Sequence, residues 1–251
     1  MLQDPYYRAI GYPYPLPEHS FVMDAGEHRQ LRDDDRRVSF EGRRPVLAVG
    51  SNMSPLQLAR KFPAPDYGPI PVTRIRLRDF DSVYSTHFTT YGSIPATLFP
   101  SPGTTVSLFL TWLSPVQEER MHETETLSEN YGFYRLDNVA MDADHGPDGL
   151  DHMFGYLSSR GAVSIDGAPV SLAEVPAEGR RWQALDQSGI QEYARSLFAP
   201  GTLIEDFVHE NITDEQLRRS RTDSLHDSGI PFVRDDVIRI DGYGDSSVGQ
   251  G

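Results

Sequence analysis

An apolar, β-prone run, Val46 to Val49, breaks at Gly50-Ser51-Asn52 and gives way at once to a helix start. This stretch, Pro45 to Phe62, constrains the chain more than any other. Ser54 stands where an N-cap belongs, Pro55 at the first helical position, and Gln57 three residues after the cap. A buried strand that turns through a small polar loop into a helix N-terminus leaves loop amides unpaired and adds the partial positive charge of the helix dipole. Two readings stay open. One is an anion-binding corner of a small-molecule pocket; the other is a plain strand–helix turn, where Gly and Asn are used for their tolerance of positive φ. The loop has neither the glycine spacing of a dinucleotide fingerprint nor the lysine of a phosphate loop.

The rest of the chain alternates irregularly between β-runs and helix signals. Arg74 to Thr90, Thr104 to Trp112, Tyr134 to Met141 and Met153 to Leu157 read as strands, and Ser101-Pro102-Gly103 as a tight turn between two of them. A second Ser-Pro-x-Gln start at Ser114 opens a helix to about Ser128, and Asp166-Gly167 marks a hairpin. Gly189 to Ala199 and Ile204 to Asn211 read as helices broken at Pro200-Gly201. This order predicts an α+β fold with a mixed or antiparallel sheet. Residues 1–44, aromatic and proline-rich and then charged, read as an extension wrapped on a domain at 45–212; residues 213–251 read as a charged C-terminal extension with a frayed end.

Composition narrows the function classes. A formal net charge of −14 argues against nucleic acid or an anionic membrane as partner. An anion bound by such a chain must be held by local amides and placed arginines. With no cysteine, thiolate metal sites, disulfides and thiol nucleophiles are excluded. Lys61 is the only lysine, so a Schiff base would have to use it. No signal-like N-terminus and no membrane-length apolar run is seen, and a cytoplasmic location is the expectation.

Carboxylates cluster on the second helix. Projected at 3.6 residues per turn, Glu123 shares a face with Val116 and Leu127, which nominates it as the buried acid suited to proton transfer near neutrality. His122-Glu123-Thr124-Glu125-Thr126 lacks the second histidine of a zinc motif, and the Asp142-to-Asp151 turn lacks a calcium loop's spacing. Neither a metal nor a cofactor is expected. No nucleophile elbow surrounds Ser51, which leaves a hydrolase using Ser51 or Thr97 with little support.

Taken together, Val49-Gly50-Ser51-Asn52 after a strand, Ala96-Thr97 through Pro102-Gly103, Met121-His122-Glu123-Thr124-Glu125 at a helix end, and the later GTLIEDFVHEN segment at 201–211 resemble the γ-glutamylcyclotransferase-like superfamily. The resemblance covers about residues 46–211. It implies a mixed, β-barrel-like sheet with flanking helices. It also implies a cofactor-independent acyltransferase or lyase reaction on a γ-glutamyl small molecule, releasing 5-oxoproline. Residues Val49, Gly50, Ser51, Asn52 and Met53 would bind substrate, and Glu125 would be the acid/base, ranked above Glu123 because the family's helix ends there. Val49 stands where the family has a tyrosine, so a hydroxyl contact is lost or comes from elsewhere, with Tyr91 as one source. A non-catalytic binding protein of the same fold is the alternative.

Overall fold

The strand expected at Arg74 to Thr90 runs instead over Ile70–Tyr84, and the one expected at Thr104 to Trp112 extends over Ala96–Leu113. The computed structural model describes residues 4–36, 38–63, 65–125 and 130–240. In chain order its first elements are α1 (Pro5–Ile10), β1 (Phe21–Asp24), β2 (Glu27–Gln30), β3 (Arg44–Ala48), α2 (Pro55–Lys61) and β4 (Ile70–Tyr84). Next come β5 (Ala96–Leu113), α3 (Pro115–Thr124), β6 (Tyr131–Asp137), β7 (Met141–Ala143) and β8 (His152–Ser158). Five two-residue strands follow: β9 (Ser164–Ile165), β10 (Ala168–Pro169), β11 (Ser171–Leu172), β12 (Ala177–Glu178) and β13 (Ala184–Leu185). The chain then forms α4 (Gln187–Phe198), α5 (Ile204–Thr213), α6 (Glu215–Asp227) and β14 (Val237–Arg239).

The fold is α+β, built on a large mixed sheet in the order β13-β11-β4-β5-β3-β8-β6-β14. β3 is central, antiparallel to β5 and parallel to β8. That position explains its unbroken apolar run, because both faces of a central strand are covered. The sheet curls without closing. β6 lies beyond β8 from β4, yet the strand after it, β7, returns to pair with β4 through Leu77 and Met141. Three short strands, β1, β7 and β11, share the outer edge of β4, and β6 itself pairs with β14. No single strand is therefore placed to seal β4 against β6, and the expected barrel-like closure is replaced by a curled, open sheet.

Three further expectations are corrected. Ser101-Pro102-Gly103 is no hairpin turn: β5 runs through it as one strand, while Pro100 and Thr105 face Phe80 and Arg78 across a break in register. Pro102 has no N–H to lend a ladder, and Gly103 adopts φ +86°, so the surplus residues loop out as a bulge. The Gly103 N–H donates to Asp79 Oδ1 at 2.8 Å, which ties the bulge to the opposite strand. Tyr134 to Met141 splits into β6 and β7, and α6 occupies residues read only as a charged extension. The predicted end of the helix that starts at Ser114 lies beyond the described residues, since 126–129 fall outside them, as does the frayed terminus at 241–251.

Residues 1–44 are more than a wrapped arm. β1 joins the main sheet against β4, and Phe21 and Val22 are fully buried. One connected apolar core runs from Ala9 in α1 to Leu225 in α6. No helix among the described residues is long and apolar enough to cross a membrane.

Candidate functional site

The loop after β3 enters a cavity of about 720 Å³. Gly50 is followed by a single 3₁₀ turn, Ser51–Met53, before α2. This turn uses two of the amides expected to stay free: the Met53 N–H donates to the Gly50 carbonyl at 3.0 Å and the Ser54 N–H to the Ser51 carbonyl at 2.9 Å. Ser54 precedes α2 as expected, but its hydroxyl is buried without a partner among the described residues and caps nothing. Val49, Gly50, Ser51 and Asn52 line the cavity. Met53 does not; its side chain is fully buried in the core.

Glu125 forms the C-cap of α3 and also lines the cavity. Asn52 Nδ2 donates to Glu125 Oε1 at 2.7 Å, joining residues 73 positions apart in the chain. Lys61, at the last position of α2, makes an ion pair with the same oxygen. Both of these side chains are nearly buried, and Lys61 Nζ also lies 3.5 Å from Met121 Sδ. Arg120 reaches across from α3 to donate from Nε to the Lys61 carbonyl at 2.9 Å, which holds the end of α2 against α3. Both donors converge on Oε1, and no described group donates to Oε2. Asn52 Oδ1 is buried with no hydrogen-bond partner among the described residues.

Glu123 is placed elsewhere. It is largely exposed and pairs with Arg120 at 2.8 Å. The face projected for Glu123 looks outward, since Val116 on the same face is exposed; Leu127 lies outside the described residues. The buried carboxylate of this helix is Glu118, which sits between Arg44 and His122. Burial by itself would raise the Glu118 carboxyl. Hydrogen bonding to His122 and the Arg44 charge outweigh that and hold it below the usual carboxylate range. Glu118 does not line the cavity.

Tyr12, Tyr91 and Tyr131 also line the cavity. The Ala96 N–H donates to Tyr12 Oη at 2.7 Å, while Tyr131 Oη donates to the Ala96 carbonyl at 3.1 Å. Tyr12 belongs to the N-terminal segment, and its hydroxyl lies so near Gly50 that a Cβ there would sit 1.9 Å from it. Only glycine permits this approach. Burial, and next the neighbouring Tyr91, hold the Tyr12 phenol well above its ordinary value. Burial and then Tyr14 push the Tyr91 phenol up to about 12. These groups are neutral hydrogen-bonding surfaces near neutral pH. His87 also faces the cavity, and burial, then the Arg160 charge, push its imidazole down to about 3. Its Nδ1 shares a 2.9 Å hydrogen bond with Ser85 Oγ.

Compared with known proteins, the chain matches no family model and no curated protein.

The site has a chemistry of its own. It brings together a carboxylate fixed on one oxygen, a buried ammonium, a buried amide acceptor and a backbone turn beside neutral phenols. Among the described residues no cluster of metal-ligating side chains is present. Thr97 is buried, and its hydroxyl accepts from the Ser158 N–H at 3.0 Å, away from the cavity. Ser51 is in the cavity, but no described histidine is hydrogen-bonded to it. Lys61, Tyr12 and Tyr131 escaped the sequence reading as site residues. Only Lys61 left a trace in the sequence, as the one lysine of the chain.

Proposed function

We propose that the chain is a γ-glutamyl cyclotransferase with Glu125 as acid/base, its curled sheet being a γ-glutamylcyclotransferase-like variant in which β7 returns to β4. The observation that carries the reading is the convergence of Asn52 and Lys61 on Glu125 Oε1 at the cavity wall beside the Gly50-Ser51-Asn52 turn. Held this way, the carboxylate presents Oε2 with little freedom to turn aside, and fixed orientation is where much of such a rate enhancement comes from.

In the proposed reaction Glu125 takes a proton from the substrate α-ammonium. The freed amine attacks the γ-carbonyl carbon, a C–N bond forms, and the carbonyl electrons move to oxygen. That oxyanion needs donors, and the candidates are the Ser51 and Asn52 region of the turn and the Lys61 ammonium. Collapse then breaks the bond to the leaving nitrogen, which takes up the proton from Glu125, and the second proton still on the ring nitrogen follows through the freed carboxylate to the departing amine. The products are 5-oxoproline and a free amine or amino acid, with the carboxylate restored. The family's missing tyrosine at Val49 has two replacements in reach: Tyr12 Oη beside Gly50, and Tyr91 on the wall.

The test is 5-oxoproline release from a panel of γ-glutamyl amines, dipeptides and glutathione. Glu125→Gln is expected to lose about 10²–10⁴-fold in kcat, the usual worth of a general acid/base. Unchanged turnover in that variant would remove Glu125 from the role. A second reading, a binding protein of this fold, is favoured by one observation: the Tyr12 hydroxyl occupies the gap between Gly50 and the Ala96 amide. Thermal stabilisation by 5-oxoproline or glutamate without turnover of any panel member would select it.

A further inference from the structure

One buried titratable group on the cavity wall has no part in the proposed proton transfers. His87 lies in the segment between β4 and β5; it is only 2% exposed, yet it lines the cavity. A neutral imidazole donates from one nitrogen and accepts at the other, and the hydrogen bond at one end decides what the other end offers.

Two serines fix that choice here. Ser85 Oγ donates to Ser158 Oγ at 2.6 Å, and Ser158 Oγ also accepts from the Arg160 N–H at 3.0 Å. A serine hydroxyl has a single hydrogen, so at its 2.9 Å contact with His87 Nδ1 the Ser85 oxygen is the acceptor. The proton of the neutral ring therefore sits on Nδ1, and Nε2 carries a lone pair. Both serines are buried and neither lines the cavity, which turns the Nδ1 edge of the ring away from it. Nε2 has no hydrogen-bond partner among the described residues.

The surroundings decide what kind of donor this lone pair suits. Burial, then the Arg160 charge, hold the ring neutral at neutral pH, so it works as an acceptor and not as a base. The same positive charge disfavours a cationic donor such as an ammonium. Tyr131 stands edge-on to His87, with ring centroids 5.3 Å apart, but its hydroxyl donates to the Ala96 carbonyl and is not available to Nε2.

We infer that His87 is a specificity residue, with Nε2 accepting a hydrogen bond from a neutral N–H of the ligand. The name of that N–H rests on the cyclotransferase reading. A γ-glutamyl amide carries hydrogen on two nitrogens: the charged α-ammonium, assigned to Glu125, and the neutral scissile amide. His87 thereby selects conjugates whose leaving nitrogen bears a hydrogen, over esters and fully substituted amides. No bond is made or broken at the imidazole. The N–H becomes a stronger donor as the leaving nitrogen is protonated, so the contact tightens towards the transition state.

The experiment compares γ-glutamyl ethylamide with glutamate γ-ethyl ester, the isostere without the N–H, on the full chain. Since the two differ in intrinsic reactivity, the readout is the loss that each variant causes on each substrate. His87→Phe should lose about tenfold more in kcat/KM on the amide than on the ester, the worth of one hydrogen bond. His87→Gln, whose carbonyl can accept, should recover part of the difference. Ser85→Ala, behind the wall, frees the tautomer and should show a smaller difference in the same direction. Equal losses on amide and ester in His87→Phe overturn the inference and leave the cyclotransferase standing. Nitrogen NMR of the imidazole gives a readout without turnover. It should find the proton on Nδ1 in the free protein, and Nε2 should shift on binding the amide but not the ester. A proton on Nε2 overturns the inference. If neither compound is turned over, a shift with the amide alone upholds the acceptor and sinks the reaction. The same shift with both, or none, sinks the acceptor. Should His87→Phe fail to fold, Ser85→Ala and the NMR of the wild type decide.

Discussion

Single side chains show how far the surroundings alter what a residue type does. His87 would ordinarily titrate near 6.5, but buried in the cavity wall it is held neutral down to about pH 3. The sign of its contribution to stability follows from which state binds the proton. Between about pH 6.5 and 3 the unfolded chain protonates this histidine and the folded one refuses the proton. Stability is therefore fully present above 6.5 and declines as the pH falls, by about 1.4 kcal/mol per pH unit for a single group. Urea unfolding at pH 7 and pH 5 should show a smaller loss in His87→Gln than in the wild type. Equal slopes would mean that the imidazole is already charged in the folded protein. Glu118 and Glu123 make the same point from the acid side. They lie five positions apart on one helix, yet one is buried between Arg44 and His122 and the other faces solvent beside Arg120.

At the scale of elements, the short irregular segments matter as much as the long strands. Residues 171–180 contribute only two-residue strands, so their position needs another anchor. Asp81 in β4 provides it. The carboxylate is fully buried and is gripped by Arg180 through Nε at 2.9 Å and Nη2 at 3.0 Å. It also accepts from Ser171 Oγ at 2.7 Å and the Ser82 N–H at 2.9 Å. A buried pair with every lone pair used is costly to break from one side, because the remaining charge is left uncompensated. Asp81→Ala should destabilise by about 3–5 kcal/mol, measured by chemical denaturation; a loss below about 1 kcal/mol would show that Arg180 relaxes to water. This clamp was invisible in the sequence, where Asp81 is one acid within a strand pattern and Arg180 lies 99 positions away. By contrast, the capping pair at the start of α3 could be read directly, since the Ser114 N–H donates to Gln117 Oε1 at 2.9 Å across three positions. The other Ser-Pro-x-Gln start, at Ser54, puts its helix where expected without making that bond. The pattern locates a helix start more reliably than it assigns the hydrogen bond.

For the whole molecule, the division into extension, domain and extension does not describe how the structure is held together. Strand β1 lies in the main sheet, Tyr12 sits against Gly50, the Phe88 N–H donates to Thr222 Oγ1 of α6 at 3.1 Å, and β14 pairs with β6. A fragment of residues 45–212 would lose all of these and expose Phe88 and Phe207, which stack edge-to-face at 6.0 Å beneath the terminal segments. Such a fragment should show no cooperative thermal transition, while the full chain should melt in one; differential scanning calorimetry of both decides this. A sharp transition for the fragment would restore the three-part division. The same interdependence puts Arg8 and Arg218 on one cavity although the sequence places them at opposite ends.

What the sequence by itself determined is local: an apolar strand ending at Gly50, helix starts at two Ser-Pro-x-Gln signals, a turn at Asp166-Gly167, and β-rich stretches where the long strands lie. These depend on conformational preferences within a few residues, and they survive whatever packs around them. Tertiary structure alone decided the rest. It put Lys61 and Asn52 on Glu125, brought the Tyr12 hydroxyl to Gly50, turned the Pro102-Gly103 turn signal into a bulge, and left Glu123 outside. Each of these outcomes depends on elements meeting across the curled sheet. Local periodicity carries no record of which distant side chain will arrive there.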